Sequence, residues 1–88
     1  MSVLQDVREF IITNFYISHP ELVDDGASLL ELGIIDSTGV LEIVDYVERE
    51  HGIVVGDADI VPENFGSIVA IAAYVERKRG SVPRIAVG

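Results

Sequence analysis

Three stretches of the chain place apolar residues at every third or fourth position, the spacing that gathers them on one face of an α-helix. They predict three main helices, over about residues 3–15, 37–50 and 67–79. Ser2 and Gln5 have the spacing of a capping box at the start of the first helix, and Ser67 suits the N-cap of the last. Gly52 suits a left-handed cap at the end of the second helix.

The connections between these helices carry weaker signals. The segment over residues 17–36 has no helical period, and loops of this length are usually functional or contain a small element of their own. Within it, Ser28 and Glu31 have capping-box spacing for a single turn. We expect an extended connector over residues 53–55 and a short additional helix over residues 57–61.

The predicted fold is therefore all-α: a small bundle of three main helices plus one short helix, with a long loop between helices 1 and 2. A chain of 88 residues suits a single small core. We divide it into one folded domain over residues 1–79 and a flexible C-terminal tail over residues 80–88, because the tail has no period.

Charge narrows the possible partners. The formal net charge is −9, from 15 acidic and 6 basic residues. Four of the basic residues and none of the acidic ones follow Glu76, so residues 1–76 carry a formal charge of −13. Such an acidic body repels nucleic acid and anionic membranes and attracts basic protein surfaces.

The composition also excludes several classes of protein. The chain has no cysteine, so it can form neither a disulfide nor a thiolate site. No apolar run approaches the roughly 18 residues that cross a bilayer, and the first residues lack the basic start and apolar stretch of a signal peptide. We expect a cytoplasmic protein that does not insert into membranes. We also expect a monomer, since the sequence has no periodic stripe of exposed apolar residues that would favour a stable oligomer.

Asp36 and Ser37 are the most informative pair, because they stand at the predicted start of the second helix. A serine there exposes its hydroxyl, and the free N–H groups and positive dipole end of the helix can stabilise an attached phosphate. Taken alone, the pair is more simply an ordinary helix cap. Its position between a glycine-containing loop, residues 32–35, and an acidic amphipathic helix makes the pattern more specific.

The stretch over residues 32–48, LGIIDSTGVLEIVDYVE, resembles the signature of acyl and peptidyl carrier proteins. The helix order, the long first loop and the closing segment over residues 65–75 are also similar to that family. The resemblance covers about residues 3–79 and implies a carrier domain, shaped as an acyl-carrier-like bundle, that performs no catalysis itself.

The resemblance implies a covalent 4′-phosphopantetheine arm on Ser37, supplied by coenzyme A and attached by a phosphopantetheinyl transferase. The terminal thiol of the arm would carry an acyl or aminoacyl group as a thioester, which explains how a chain without cysteine could do thiol chemistry. Asp36 would assist loading by helping to hold the metal ion used in the transfer. No dedicated metal site is expected in the protein.

The outer side of the second helix is the predicted docking face, opposite an apolar stripe that begins at Val40. Its members are Thr38, Leu41, Glu42, Asp45 and Tyr46. An apolar residue beside acids suits a basic groove on a partner enzyme. The resemblance implies an acyl- or aminoacyl-activating ligase and acyl-transferring enzymes as those partners. The other interpretation is a solvated helix side on which Asp45 and Arg49 form an ordinary i, i+4 pair.

Two departures from the fatty-acid carrier pattern indicate a more specialised type. Two residues, Ile34 and Ile35, separate the loop glycine from the acid, and Thr38 follows the serine. The resulting Gly-Ile-Ile-Asp-Ser form is more similar to D-alanyl, aminoacyl and specialised stand-alone carriers. If the core opens to shelter an acyl chain, the candidate lining residues are Val40, Val44, Ile60 and Ala72.

Two other function classes remain open. The chain could be an unmodified acidic helical module for protein interaction, in which Ser37 is only a cap. It could also be a small hydrolase in which Ser37 acts with His19 or His51, although neither histidine lies near the serine in sequence.

Overall fold

The computed structural model describes residues 2–15 and 17–81. In chain order, the helices are α1 (Val3–Asn14), α2 (Ser37–His51), α3 (Pro62–Phe65) and α4 (Ile68–Ser81). Two 3₁₀ turns, Pro20–Leu22 and Asp57–Asp59, lie in the connections. These ranges contain helices and no strand, which confirms the all-α bundle of three longer helices and one short one.

Most of the predicted helix ends are confirmed by the cap geometry. The Ser2 hydroxyl accepts a hydrogen bond from the Gln5 N–H, and the Gln5 side chain accepts one from the Ser2 N–H, which completes the capping box. The Ser67 hydroxyl accepts from the Ala70 N–H at the start of α4. Gly52 ends α2 in the left-handed conformation, with φ at 66°.

Two boundaries differ from the prediction. The short helix begins at Pro62, because proline suits the first helical position, and residues 57–59 form a separate 3₁₀ turn before it. At the other end, α4 continues through Gly80 to Ser81, two residues beyond the predicted end. The remainder of the predicted tail, residues 82–88, lies outside the described residues.

The core is formed by the facing sides of the helices and by residues of the long loop. Its fully buried members include Val7, Ile11, Leu29, Ile43, Val47, Phe65, Ile68, Ile71 and Val75. α4 packs mainly against α1 and α3, and less extensively against α2. No helix in the described ranges is both long and apolar enough to cross a bilayer.

The long first loop is fastened to the bundle by backbone and side-chain bonds. The Leu29 N–H donates to the Gly66 carbonyl, and the Val69 N–H donates to the Asp25 carbonyl, at 2.8 and 2.9 Å. Arg8 of α1 also binds this loop through the Asp25 carboxylate, at 2.7 Å. The loop therefore has a defined path that ends where α2 begins.

Candidate functional site

The start of α2 exposes the side chain of Ser37. Asp36 is the N-cap: its backbone is extended, and its carboxylate accepts a hydrogen bond from the Gly39 N–H at 2.9 Å. Ser37 is the first helical residue, and both it and Asp36 are exposed. The cap is thus supplied by Asp36, so the Ser37 hydroxyl is not used to terminate the helix.

The loop before the pair explains why the chain turns there. Gly33 has a φ of 73°, a left-handed conformation that glycine adopts without steric cost. Beyond it, the Ile34 N–H donates to the Leu29 carbonyl at 3.0 Å, and Ile35 buries its side chain in the core. Ile35 therefore anchors the chain directly before the exposed Asp36.

Gly39 allows the first turn of α2 to pack closely against Phe15, the residue that follows α1. A Cβ atom at this buried position would lie 3.1 Å from the Phe15 ring and 3.1 Å from the Ile35 Cβ. Few real Cβ atoms sit that close to a neighbour. The sequence alone does not reveal this role of Gly39, because its neighbour Phe15 is far away along the chain.

An apolar groove of about 330 Å³ opens beside Ser37. On one side it is lined by Val40 and Leu41 of α2, and on the other by residues 60–62, 65 and 66, and Leu30 of the long loop completes the lining. Ser37 itself belongs to the lining. A group attached to the hydroxyl could therefore reach this groove directly.

The structure supports two of the four residues that were predicted to line an acyl shelter. Val40 and Ile60 line the groove beside Ser37. Val44 packs against the core, as Val40 and Ile60 also do, but it does not line the groove, and neither does the buried Ala72 of α4. Both lie on helix faces that the bundle itself covers.

The outer face of α2 presents four of the five predicted docking residues. Thr38, Glu42 and Asp45 are exposed, and the Leu41 side chain is 59% exposed despite being apolar. Asp45 also forms the predicted i, i+4 ion pair with Arg49, with 3.0 Å between carboxylate and guanidinium.

The outward placement of Tyr46 was wrong. Tyr46 is 9% exposed, and its ring stacks on Phe10 of α1 with 4.0 Å between the ring centroids. The helical period accounts for this, because residue 46 follows the buried Ile43 by three positions and so lies on the inner face. Tyr46 is therefore not part of the docking face.

Burial and nearby carboxylates also change the chemistry of Tyr46. Its pKa is raised above the usual tyrosine value, first by burial and then by Asp6, Glu50 and Glu9. Its hydroxyl lies 3.4 Å from the Nε2 atom of His51. Tyr46 thus belongs to the packing between α1 and the end of α2, remote from Ser37.

The two histidines do not form a catalytic pair with Ser37. His51 lies at the opposite end of α2, roughly 20 Å away at 1.5 Å per residue. His19 lies on an exposed loop and pairs with Glu21, at 3.5 Å. No hydrogen bond joins either imidazole to the serine within the described ranges, so the arrangement of a serine hydrolase is not present there.

The geometry is that of a carrier domain: an exposed serine at a helix start, a capping acid before it and an apolar groove beside it. In residues 2–15 and 17–81, no group of three or more histidine or acidic side chains could hold a metal ion. The fit of a phosphopantetheine arm is good, because the hydroxyl is accessible and the groove can receive apolar parts of the arm or its cargo.

Comparison with known proteins places the chain in a family. The family described as "Phosphopantetheine attachment site" matches residues 5–75. This is most of the chain, so the protein belongs to that family. It is also 31% identical over 67 residues to "Probable acyl carrier protein PigG" of Serratia sp. (strain ATCC 39006), an alignment that spans 76% of this chain and 77% of the relative.

Family membership establishes the coarse function. The protein is a carrier that bears a covalent 4′-phosphopantetheine group, and it is not an enzyme. The arm supplies a thiol that holds cargo as a thioester, and the chain supplies the scaffold that presents it. Such a carrier works with partner enzymes, including synthetases and transferases.

Proposed function

We propose that Ser37 is the residue that bears the arm, and that the protein presents an acyl or aminoacyl thioester to its partner enzymes. The observation that carries this proposal is the position of Ser37: it is exposed, stands first in α2 and borders the apolar groove. On loading, the serine oxygen would bond to the pantetheine phosphate of coenzyme A, and the nucleotide part would leave. The helix start stabilises the phosphate that remains.

Asp36 supports loading in two ways. One carboxylate oxygen accepts the Gly39 N–H and so fixes the orientation of the group. A carboxylate has further lone pairs, and this one is exposed beside the serine. It can therefore contribute to holding the cation that accompanies phosphate transfer, without a protein metal site of its own.

The partner face consists of Thr38, Leu41, Glu42 and Asp45. Three of these residues supply polar or acidic groups, and Leu41 supplies an apolar knob among them. This chemistry suits a basic surface with an apolar hollow, on the transferase that loads the arm as well as on the ligase or acyl-transferring enzymes that use it.

The partner face can be tested with a phosphopantetheinyl transferase. Glu42→Lys should raise the KM for the carrier several-fold and weaken the dependence of kcat/KM on salt, because a steering charge is reversed. The matched control is Glu76→Lys, an exposed residue of α4, which makes the same charge change outside this face and outside the groove. Equal effects of the two variants would mean that net charge, and not this face, governs docking.

The volume of the groove favours a small cargo. At about 330 Å³ it lies near the lower end of pockets that bind small molecules, for which roughly 300–1,000 Å³ is usual. We therefore favour a short acyl or aminoacyl group over a long fatty-acyl chain. This agrees with the specialised carrier type that the residues around Ser37 resemble.

The attachment proposal is tested by the intact mass of the protein after incubation with coenzyme A, magnesium and a transferase of broad specificity. The wild type should gain the mass of one phosphopantetheine arm, and Ser37→Ala should gain none. Ser67→Ala is the matched control, because it removes another serine at a helix start and should still be loaded. A folded wild type that gains no mass, beside a control carrier that does, would favour the unmodified interaction module.

A further inference from the structure

The groove beside Ser37 has one wall that belongs to α2 and one that does not. The second wall, residues 60–66, which we call the groove wall, consists of the end of a connector and the short helix α3. Pro62 and Glu63 are exposed, and Ile60 and Val61 are only half-buried. A segment with so little burial depends on specific bonds to keep its position.

The C-terminal end of the groove wall is firmly anchored. Phe65 is 2% exposed within the core, and the Gly66 carbonyl accepts the Leu29 N–H at 2.8 Å. A Cβ atom on Gly66 would lie only 2.5 Å from the Pro62 carbonyl oxygen, so the turn that closes α3 is tight. Any change in groove width must therefore come mainly from the N-terminal end of the wall.

Asp59 holds that N-terminal end. Its carbonyl accepts the Val61 N–H and the Asn64 side-chain amide, both at 2.9 Å. Its carboxylate accepts the hydroxyl of Tyr74 at 2.7 Å. Asp59 thus links the groove wall to α4, the helix on which Tyr74 lies.

Tyr74 is well suited to fix this link. It is 3% exposed, and its ring lies 5.2 Å from that of Phe65, measured between centroids. A phenylalanine would supply the same packing, whereas a buried hydroxyl needs a hydrogen-bond partner. Burial and the bond to Asp59 raise the pKa of Tyr74 to about 12, so it remains a donor at neutral pH.

We propose that Tyr74 is a positioning residue for the groove: through Asp59 it holds the groove wall at a fixed distance from α2, and this limits the size of the acyl group that the groove admits. The proposal rests on the proposed function in one respect, because an arm on Ser37 must deliver the acyl group. The position of the wall can be tested without any arm.

The first test is amide hydrogen exchange of the unmodified protein, with Tyr74→Phe compared with the wild type. Loss of one hydrogen bond to a charged acceptor should speed exchange at Val61, Asn64, Phe65 and Gly66 by about tenfold or more, while α1 changes less. Tyr46→Phe is the matched control, because it removes a buried tyrosine hydroxyl far from the groove, and it should leave the wall unchanged. Unchanged exchange in the wall, or the same acceleration in α1, would overturn the proposal.

A double-mutant cycle separates this bond from general damage. Tyr74→Phe, Asp59→Ala and the double variant should all speed wall exchange by similar factors if both residues act through the same bond. If the acceleration of exchange in the double variant equals the product of the two single accelerations, each residue acts independently, and the proposal is contradicted. Melts of all three variants verify that they fold.

The second test concerns cargo size. Protein loaded with a butanoyl or a dodecanoyl arm is treated with hydroxylamine, which cleaves accessible thioesters. In the wild type the dodecanoyl thioester should be cleaved faster than the butanoyl one, and in Tyr74→Phe the ratio of the two cleavage rates should fall toward one as the wall yields. An unchanged ratio would contradict the role of Tyr74 in size selection. Failure to load Ser37 at all would instead refute the proposed function, and the exchange result would still stand.

Discussion

Arg8 joins α1 to the long first loop through three hydrogen bonds, and its loss should loosen that loop. Its guanidinium donates to the carbonyls of Pro20 at 2.6 Å and Val23 at 2.9 Å, and to the carboxylate of Asp25 at 2.7 Å. The side chains of Arg8 and Asp25 are 27% and 36% exposed, so water competes for part of these bonds.

Arg8→Ala should lower the free energy of unfolding by less than the sum of three separate hydrogen bonds. A hydrogen bond to a charged group contributes about 1.5–3 kcal/mol, and an exposed ion pair about 0.2–1 kcal/mol. The Pro20 carbonyl keeps the Val23 N–H as a partner at 3.0 Å. We therefore expect Arg8→Ala to lower the free energy of unfolding by about 2–3 kcal/mol, since bonds that share one guanidinium are not additive.

Two milder variants show how much the ion pair and the carbonyl contacts of Arg8 each contribute to the free energy of unfolding. Asp25→Asn keeps an acceptor oxygen and should cost about 0.5–1 kcal/mol. Arg8→Lys keeps the charge but not the planar guanidinium that reaches several acceptors at once. Its loss in free energy of unfolding should therefore lie between those of Asp25→Asn and Arg8→Ala.

Urea unfolding followed by circular dichroism measures these differences. In a thermal melt, each kcal/mol lost should lower the melting temperature by about 4–8 °C in a domain of this size. The reasoning is refuted if Arg8→Ala costs less than about 0.5 kcal/mol. An equally large cost for Asp25→Asn would show that the ion pair alone, and not the carbonyl contacts, fastens the loop.

Three further predictions follow from individual residues and from the overall charge. Because the pKa of Tyr74 is raised to about 12 in the folded state, its contribution to stability is complete below about pH 10 and is lost as the pH rises through 12. Urea titrations across that range should therefore show a steeper decline for the wild type than for Tyr74→Phe, and parallel curves would contradict the assignment. Gly52→Ala places a side chain at a φ of 66° and should cost about 1–2 kcal/mol in the same assay, whereas an unchanged midpoint would show that the cap relaxes. Magnesium or salt should raise the melting temperature by relieving repulsion among the 15 acidic residues, and a melt insensitive to both would count against that repulsion.

The helices and their caps could be predicted from sequence because their determinants are local. The capping box of Ser2 and Gln5 and the left-handed Gly52 each act within a few residues, and the structure confirms them. Helical period alone also places Tyr46 beside Ile43 on the buried face. The outward prediction failed because Tyr46 lies at the edge of that face, where its ring stacks on Phe10 of α1.

The contacts that position the site could not be predicted, because they join residues far apart in the chain. Arg8 and Asp25 are separated by 17 positions, and Asp59 and Tyr74 by 15. Nor does the sequence reveal that a side chain on Gly39 would crowd the Phe15 ring. The pair Asp36 and Ser37 was recognisable because its signal is a short motif, whereas the groove beside it exists only once α3 is packed.

The most direct test of the account locates the arm within the chain. Protein loaded from coenzyme A is digested, and the peptide containing residues 32–48 is fragmented in a mass spectrometer. The account predicts that the added mass lies on Ser37, with Thr38 and every other hydroxyl in that peptide unmodified. An added mass on Thr38 or Tyr46, or loaded protein in which this peptide is unmodified, would contradict the assignment of Ser37 as the attachment site.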